Sequence, residues 1–445
     1  MRRIHLFLVL SGSLIAACTA PGSSAKAGDS GPPVTIVNAL VVDGSGQPGI
    51  RGAVRISGDR IVAVGAQVKA ESGDQVVDAH GLVVAPGFID THSHADDDLR
   101  DDTTALAAVS QGITTIIGGQ DGGSPSDLAA FFADVEHHPP PINVAMYIGH
   151  NSVRAAVMGD DFKRVATAAE VEKMRVLVRN GMAAGAIGLS SGLEYDPGIY
   201  SASDEVLTLA KEAAASGGRY ISHIRSEDYA FWSALDEIIR IGREAHLPVQ
   251  ISHTKLAMRG IWNQGDSLVH VLDRARASGV NITADVYPYL FWQSTITVLF
   301  PKRNFDDRKA AEFALTQTSS PGGILLSRYA PNAAYEGKTV AEVAKLRGVD
   351  SVTALIDLVR DAEAFRAQKR DAGPGGVENI IATSMVEEDV EKIMRWPYTN
   401  FCTDGSLTGK HPRSFGSFPR VFGHYVRDRK VMTVEEGVRR ASALA

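Results

Sequence analysis

The feature that most limits the fold of this 445-residue chain is a rhythm that starts at Val83. Short apolar runs recur with helix-length stretches between them: Val83 to Ile89, Thr114 to Ile117, Asn143 to Ile148, Ala186 to Leu189, Arg219 to Ile224, Val249 to Ser252 and Ile282 to Val286. The intervening segments, such as Glu170 to Ala184 and Asp204 to Ala215, carry apolar residues at helical spacing. Strands that alternate with helices pair in parallel through crossovers, and this many in succession predict an α/β chain built as a (β/α)8 barrel. The same rhythm also suits a doubly wound open sheet. Asn400 to Asp404 reads as the final strand and Val434 to Leu444 as a helix. Residues 293–377 break the rhythm and are expected to form an insertion before the last strand, with Asn379 to Thr383 assignable to insertion or barrel.

Ahead of the barrel, residues 34–84 hold β-branched runs (Val34 to Val37, Val54 to Ile56, Ile61 to Val64) between turn signals such as Asp43-Gly44 and Ser57-Gly58, which predicts a small meander of strands. The first 18 residues join Arg2-Arg3 to an apolar run from Ile4 to Ile15 and end Ala16-Ala17-Cys18. That run is too short to span a bilayer and reads as a secretion signal. The small residues before Cys18 resemble a bacterial lipobox, so the expectation is an exported lipoprotein, anchored by a lipid on Cys18 and facing the periplasm or exterior. Thr19 to Pro33 reads as a flexible tether. With 45 basic against 52 acidic residues and no long run of either sign, no nucleic-acid partner is expected, and the membrane is met only through the anchor.

Chemistry concentrates at the predicted strand ends. Pro86-Gly87-Phe88-Ile89-Asp90-Thr91-His92-Ser93-His94 runs an apolar strand into a His-x-His pair, and alternation puts His92 and His94 on one face, able to converge on one cation. His223 closes Arg219 to Ser222, His253 closes Val249 to Ser252, and Asp404 closes Asn400 to Thr403. A single strand-end histidine is more often a satisfied polar residue than a ligand. Four, with an aspartate, at equivalent places predict a metal site at the end of the barrel where such enzymes work. Cys402, two residues before Asp404, is expected one layer deeper as a buried small hydrophobe.

These ligands resemble the metal-dependent amidohydrolase superfamily. Longer runs resemble its D-aminoacylases (N-acyl-D-amino-acid deacylases): Gly188-Leu189-Ser190-Ser191-Gly192-Leu193-Glu194-Tyr195, Ser222-His223-Ile224-Arg225-Ser226-Glu227, Asp285-Val286-Tyr287-Pro288-Tyr289, and His411-Pro412-Arg413-Ser414-Phe415-Gly416-Ser417-Phe418-Pro419-Arg420. The resemblance covers residues 34–445 and implies a TIM-like barrel with a small β-sandwich domain. Two departures matter. No lysine lies between Lys173 and Lys211, which removes the carbamylated lysine bridge found in many members, and Gly119-Gln120-Asp121-Gly122 puts Asp121 where D-aminoacylases carry a cysteine. Asp121 is therefore expected as a sixth ligand, a harder one that discriminates less against other divalent ions than Zn2+.

The resemblance implies hydrolysis of the amide of an N-acyl-D-amino acid by a water activated at one or two Zn2+ ions, with Asp404 moving the proton. Lys255, Tyr287 and Ser294 match positions D-aminoacylases use for the substrate carboxylate, and Arg225 and Tyr195 are further substrate-binding candidates. Rival readings are a D-specific dipeptidase or cyclic-amide hydrolase of the same superfamily, and an inactive barrel acting only as a binding protein. In the family, a segment like Arg439 to Ala445 is followed by strands that complete the small β domain, so unpaired strand edges and a truncated or destabilised product are expected.

Overall fold

The computed structural model describes residues 31–369 and 374–445, so the signal and most of the tether lie outside the described residues. The chain forms two compact units, one built from residues 34–41 and 50–84, the other from 42–49 and 85–445.

In the first unit Val34–Val41 runs antiparallel to Ile50–Ser57, which pairs with Arg60–Gly65, and parallel to Gln75–Asp78 and Val83–Val84. Its core is small, built on Ala39, Val41, Val54 and Ala79. Ile61, Val62, Val64, Val76, Val77 and Leu82 are exposed. The run expected as one strand from Val83 to Ile89 is divided: Val83–Val84 joins this sheet and Phe88–Asp90 opens the barrel. Pro86 between them has no N–H to give a ladder, and Gly87 lies so close to the next strand that a Cβ there would meet Thr114 Oγ1 at 2.2 Å.

The second unit is the barrel. Its strands are β1 (Phe88–Asp90), β2 (Ile113–Gly118), β3 (Asn143–Met146, resuming as Ile148–Gly149), β4 (Gly188–Gly192), β5 (Arg219–His223), β6 (Val249–Ile251), β7 (Ile282–Val286) and β8 (Thr399–Phe401). Every pairing among them is parallel. β1 to β3 form one arc and the second half of β3 through β8 the other, so β3 belongs to both. Closure between β8 and β1 is made by a side chain: the buried Asp90 carboxylate accepts Thr403 N–H at 2.8 Å and Thr403 Oγ1–H at 2.5 Å. Asp404 N–H then donates to His92 O at 2.9 Å. The open sheet is thereby excluded. Crossover helices pack outside on their apolar faces. Phe231–Ala245, for example, buries Phe231, Leu235, Ile238, Ile239 and Gly242, the spacing of one helical stripe.

Between β7 and β8, Glu378–Thr383 runs antiparallel between Phe291–Ser294 and Ile324–Tyr329. These strands and the helices after them share a separate core that includes Trp292, Ile324, Leu355 and Ile380. The insertion thus extends to Thr383, and the 379–383 run belongs to it because its partners are antiparallel. Among the described residues no helix is long and apolar enough to cross a membrane.

Candidate active site

The C-terminal ends of the barrel strands open into a cavity of about 1020 Å³ whose walls include His94, Asp121, His223, His253, Asp404 and residues of the insertion. His92 Nε2 lies 3.4 Å from Asp121 Oδ1 and 3.5 Å from Asp404 Oδ1, and His94 Nε2 lies 3.5 Å from Asp121 Oδ2 and 3.3 Å from Asp404 Oδ1. Across the cavity His253 Nε2 sits 3.4 Å from Asp121 Oδ1 and 3.0 Å from His223 Nδ1. Asp121 therefore stands between two flanks, His92/His94/Asp404 and His223/His253. Within each flank, Asp121 included, the ligand atoms lie within 4.8 Å of one another.

Three of these residues are held in strained backbone. Asp121, His253 and Asp404 take φ of +53°, +31° and +49°, in or near the left-handed region that side chains disfavour. The surroundings enforce it. Ser190 Oγ on β4 donates to Gly119 O at 2.5 Å and accepts Gly122 N–H at 3.2 Å, clasping the turn on both sides of Asp121. Gly122 itself has φ +76°, and a Cβ there would meet Asn151 Oδ1 at 2.2 Å. His253 N–H donates to Asp285 Oδ1 on β7 at 2.5 Å.

A cation fits this arrangement. Both ring nitrogens of His92 and Oδ1 of Asp121 are buried with no hydrogen-bond partner, a state that costs about 1–3 kcal/mol per group. Burial disfavours charge on His94, yet Asp121 and Asp404 lift its pKa well above the usual imidazole value. At His253, burial and Lys255 act downward, but Asp404, Glu227 and Asp121 raise the pKa to about 10. Asp404 is buried too, and Arg413, His253 and His94 hold it far below the carboxylate range. The site favours positive charge, and its four imidazoles and two carboxylates are donors that suit a first-row divalent ion. Cys402 is not among them: it is fully buried and directed at Asp285 Oδ1, 3.2 Å away.

The chain matches the amidohydrolase family over residues 75–314. It is 33% identical over 437 residues to N-acyl-D-glutamate deacylase of Alcaligenes xylosoxydans xylosoxydans, covering 92% of this chain and 82% of that one. The chain belongs to the amidohydrolase family, among its D-aminoacylases. A crystal structure of N-acyl-D-glutamate deacylase from Bordetella bronchiseptica, complexed with zinc and a phosphonate mimic of the tetrahedral intermediate, aligns with a TM-score of 0.80 at 30% identity over 93% of this chain and 85% of that one. A D-aminoacylase studied for its binuclear metal centre, with one-metal activation and second-metal attenuation, aligns with a TM-score of 0.79 at 30% identity over 92% of this chain and 84% of that one. This amidohydrolase is accordingly a hydrolase of carbon–nitrogen bonds other than peptide bonds.

Its expected substrate-binding residues divide. Tyr195 and Ser294 line the cavity, and Tyr195 O–H lies 3.1 Å from His223 Nδ1. Lys255 lines it as well, with its ammonium 2.6 and 2.8 Å from the two oxygens of Glu227. Tyr287 is buried with its hydroxyl unpartnered, its ring flanked by Lys255 at 5.8 Å and Arg413 at 5.0 Å. Arg225 does not join them. Its guanidinium forms a two-pronged pair with Glu237 at 2.8 and 2.9 Å, and it is absent from the cavity wall. Three functional groups went unassigned at the level of sequence: Arg413, whose Nη1 lies 2.5 Å from Asp404 Oδ2, and the carboxylates Glu194 and Glu227, hydrogen-bonded to His223 and His253. All three lie inside the runs that carry the family resemblance, which was the available signal.

Proposed function

We propose that this amidohydrolase deacylates N-acyl-D-amino acids with one or two divalent ions, Zn2+ in the first instance, held among His92, His94, Asp121, His223, His253 and Asp404. The observation that carries the reading is the company the ligand cluster keeps: two buried cations, Arg413 and Lys255, line the cavity beside it, 5.0 and 5.8 Å from the ring of Tyr287, whose buried hydroxyl has no partner. A free amino-acid carboxylate gives the Tyr287 hydroxyl a partner and the two cations an acceptor beside Asp404 and Glu227. Such an ion, when bound, polarises the scissile carbonyl and makes a water more acidic. Asp404, kept ionised by Arg413, takes the proton of the attacking water and delivers it to the departing nitrogen, since an amine must be protonated to leave. Arg413, Tyr287 and Ser294 orient the substrate carboxylate, and Lys255 contributes to the same receptor while neutralising Glu227.

Preference for the D enantiomer is supported by the relatives, each named for a D-amino acid. A panel of N-acyl-D-amino acids, their L counterparts and D-dipeptides, run with metal-replete protein, tests the reading. Turnover confined to the N-acyl-D set is expected, and exclusive turnover of the L set would overturn it. We further propose that the chain is exported and lipid-anchored at Cys18. A Cys18→Ala variant is then expected to move from the membrane fraction to the soluble fraction.

A further inference from the structure

Glu194 takes no part in the steps above, yet it is buried beside His223. Its Oε2 lies 2.9 Å from His223 Nε2, whereas the next carboxylate, Glu227, approaches that nitrogen only to 3.9 Å. An ionised carboxylate can only accept, so the bond places the ring proton on Nε2 and leaves the lone pair on Nδ1. Two neighbours agree with that assignment. Tyr195 O–H is 3.1 Å from Nδ1 and can donate to it, and Nδ1 is the nitrogen that faces His253 Nε2, 3.0 Å away in the ligand cluster. Glu194 is itself anchored, because Arg303 reaches across from the insertion to donate to Glu194 O at 2.7 Å and to Asp196 Oδ1 at 2.9 Å.

Glu194, His223 and Glu227 also lie close enough together to be read as a cation site of their own. The Lys255 ammonium already supplies the positive charge there, within 2.8 Å of both Glu227 oxygens.

We infer that Glu194 is a positioning residue that fixes the tautomer and ring orientation of His223, so that Nδ1 is the nitrogen offered to the metal. This rests on His223 being a metal ligand. Hydrogen-bond partners behind a metal-bound histidine typically account for 10- to 100-fold in metal affinity.

The test is zinc affinity by competition with a chromogenic chelator, on the full chain, with the visible spectrum of the Co2+-substituted protein as second readout. Glu194→Leu is expected to weaken zinc by about 10- to 100-fold and to alter the Co2+ spectrum. Glu194→Gln keeps an acceptor without the charge and is expected to fall between parent and Glu194→Leu, since a charge-assisted bond is roughly twice as strong as a neutral one. In buffer above the pKa of about 7 to which burial and Glu194 raise Asp228, Asp228→Asn removes a charge from the same cavity wall without touching a histidine, because Asp228 is bonded to Ser226, and is expected to bind zinc as the parent does. Parent-like affinity in both Glu194 variants would overturn the inference, as would a loss in Asp228→Asn equal to that in Glu194→Gln. Should Glu194→Leu fail to fold, the comparison of Glu194→Gln with Asp228→Asn decides alone. A parent protein that binds no zinc would instead remove the metal site itself.

Discussion

The two flanks of the ligand cluster are built differently. On the β5/β6 flank, His223 and His253 are 3% and 2% exposed and each has a carboxylate at its rear nitrogen, Glu194 at 2.9 Å and Glu227 at 3.0 Å. On the β1/β8 flank, His92 is buried with neither nitrogen hydrogen-bonded, and the His94 side chain is 32% exposed. One flank arrives with its rings already fixed by protein; the other has only the shared carboxylates Asp121 and Asp404 to order it. Preorganised ligands bind an ion without the cost of arranging them, so the β5/β6 flank is expected to hold metal more tightly and the β1/β8 flank to adapt.

The largest effect is expected from the acid of the adaptable flank. Asp404→Asn should lower kcat by about 100- to 10,000-fold, the usual worth of a positioned proton carrier, with much less change in KM. Steady-state kinetics beside metal analysis checks this, and a fall explained entirely by lost metal would deny Asp404 its proton-transfer role. Next comes the contrast between flanks. His253→Ala should weaken the tightest-bound ion by more than the roughly 100-fold that an outer-shell partner is worth, while His94→Ala should leave that ion in place and loosen only a second. Equal losses in the two variants would erase the distinction drawn above.

Protons sharpen the same comparison. With its pKa raised to about 10, His253 is protonated in metal-free protein at pH 7–8 and must lose that proton to become a ligand. Apparent affinity at this flank should therefore rise with pH until about 10, with proton release on metal addition measurable in weak buffer. The sign for stability is opposite. A raised imidazole pKa stabilises the metal-free fold fully below its unfolded value, and that contribution fades as pH climbs through about 10.

The difference between the flanks was only partly legible in the sequence. His92, His94, His223, His253 and Asp404 could be placed because each ends an apolar run, and strand alternation fixes which way such residues point. Asp121 could be placed only through the family resemblance, because Gly119-Gln120-Asp121-Gly122 stands where D-aminoacylases carry a cysteine. Glu194 and Glu227 sit in loops after their strands, and Arg413 opens the helix Arg413–Arg420 at the end of such a loop, where no strand periodicity encodes the path of the chain. Arg225 shows the converse: a cation beside a ligand looks like a receptor in sequence, and its commitment to Glu237 depends on how the following helix Phe231–Ala245 folds back. The barrel was legible from its repeating runs. The end of the insertion was not, because Glu378–Thr383 resembles a barrel strand until its antiparallel partners are seen.

The smallest expected effect concerns the hinge between the flanks. Asp121 touches both, and its turn is held open at φ +53° by Ser190, which bonds Gly119 O and Gly122 N–H with a single hydroxyl. Ser190→Ala leaves both backbone groups buried without that partner, a loss of about 1–3 kcal/mol in stability, while every ligand atom remains. If Asp121 owes its place to this clasp, the variant should keep the tight ion of the β5/β6 flank, whose histidines have their own carboxylates, and weaken the ion shared with β1/β8. Unfolding by denaturant gives the first quantity and stepwise metal titration the second. A stability loss with both ions equally retained would mean that Asp121 is held by its ligand contacts alone and that the serine serves only the turn.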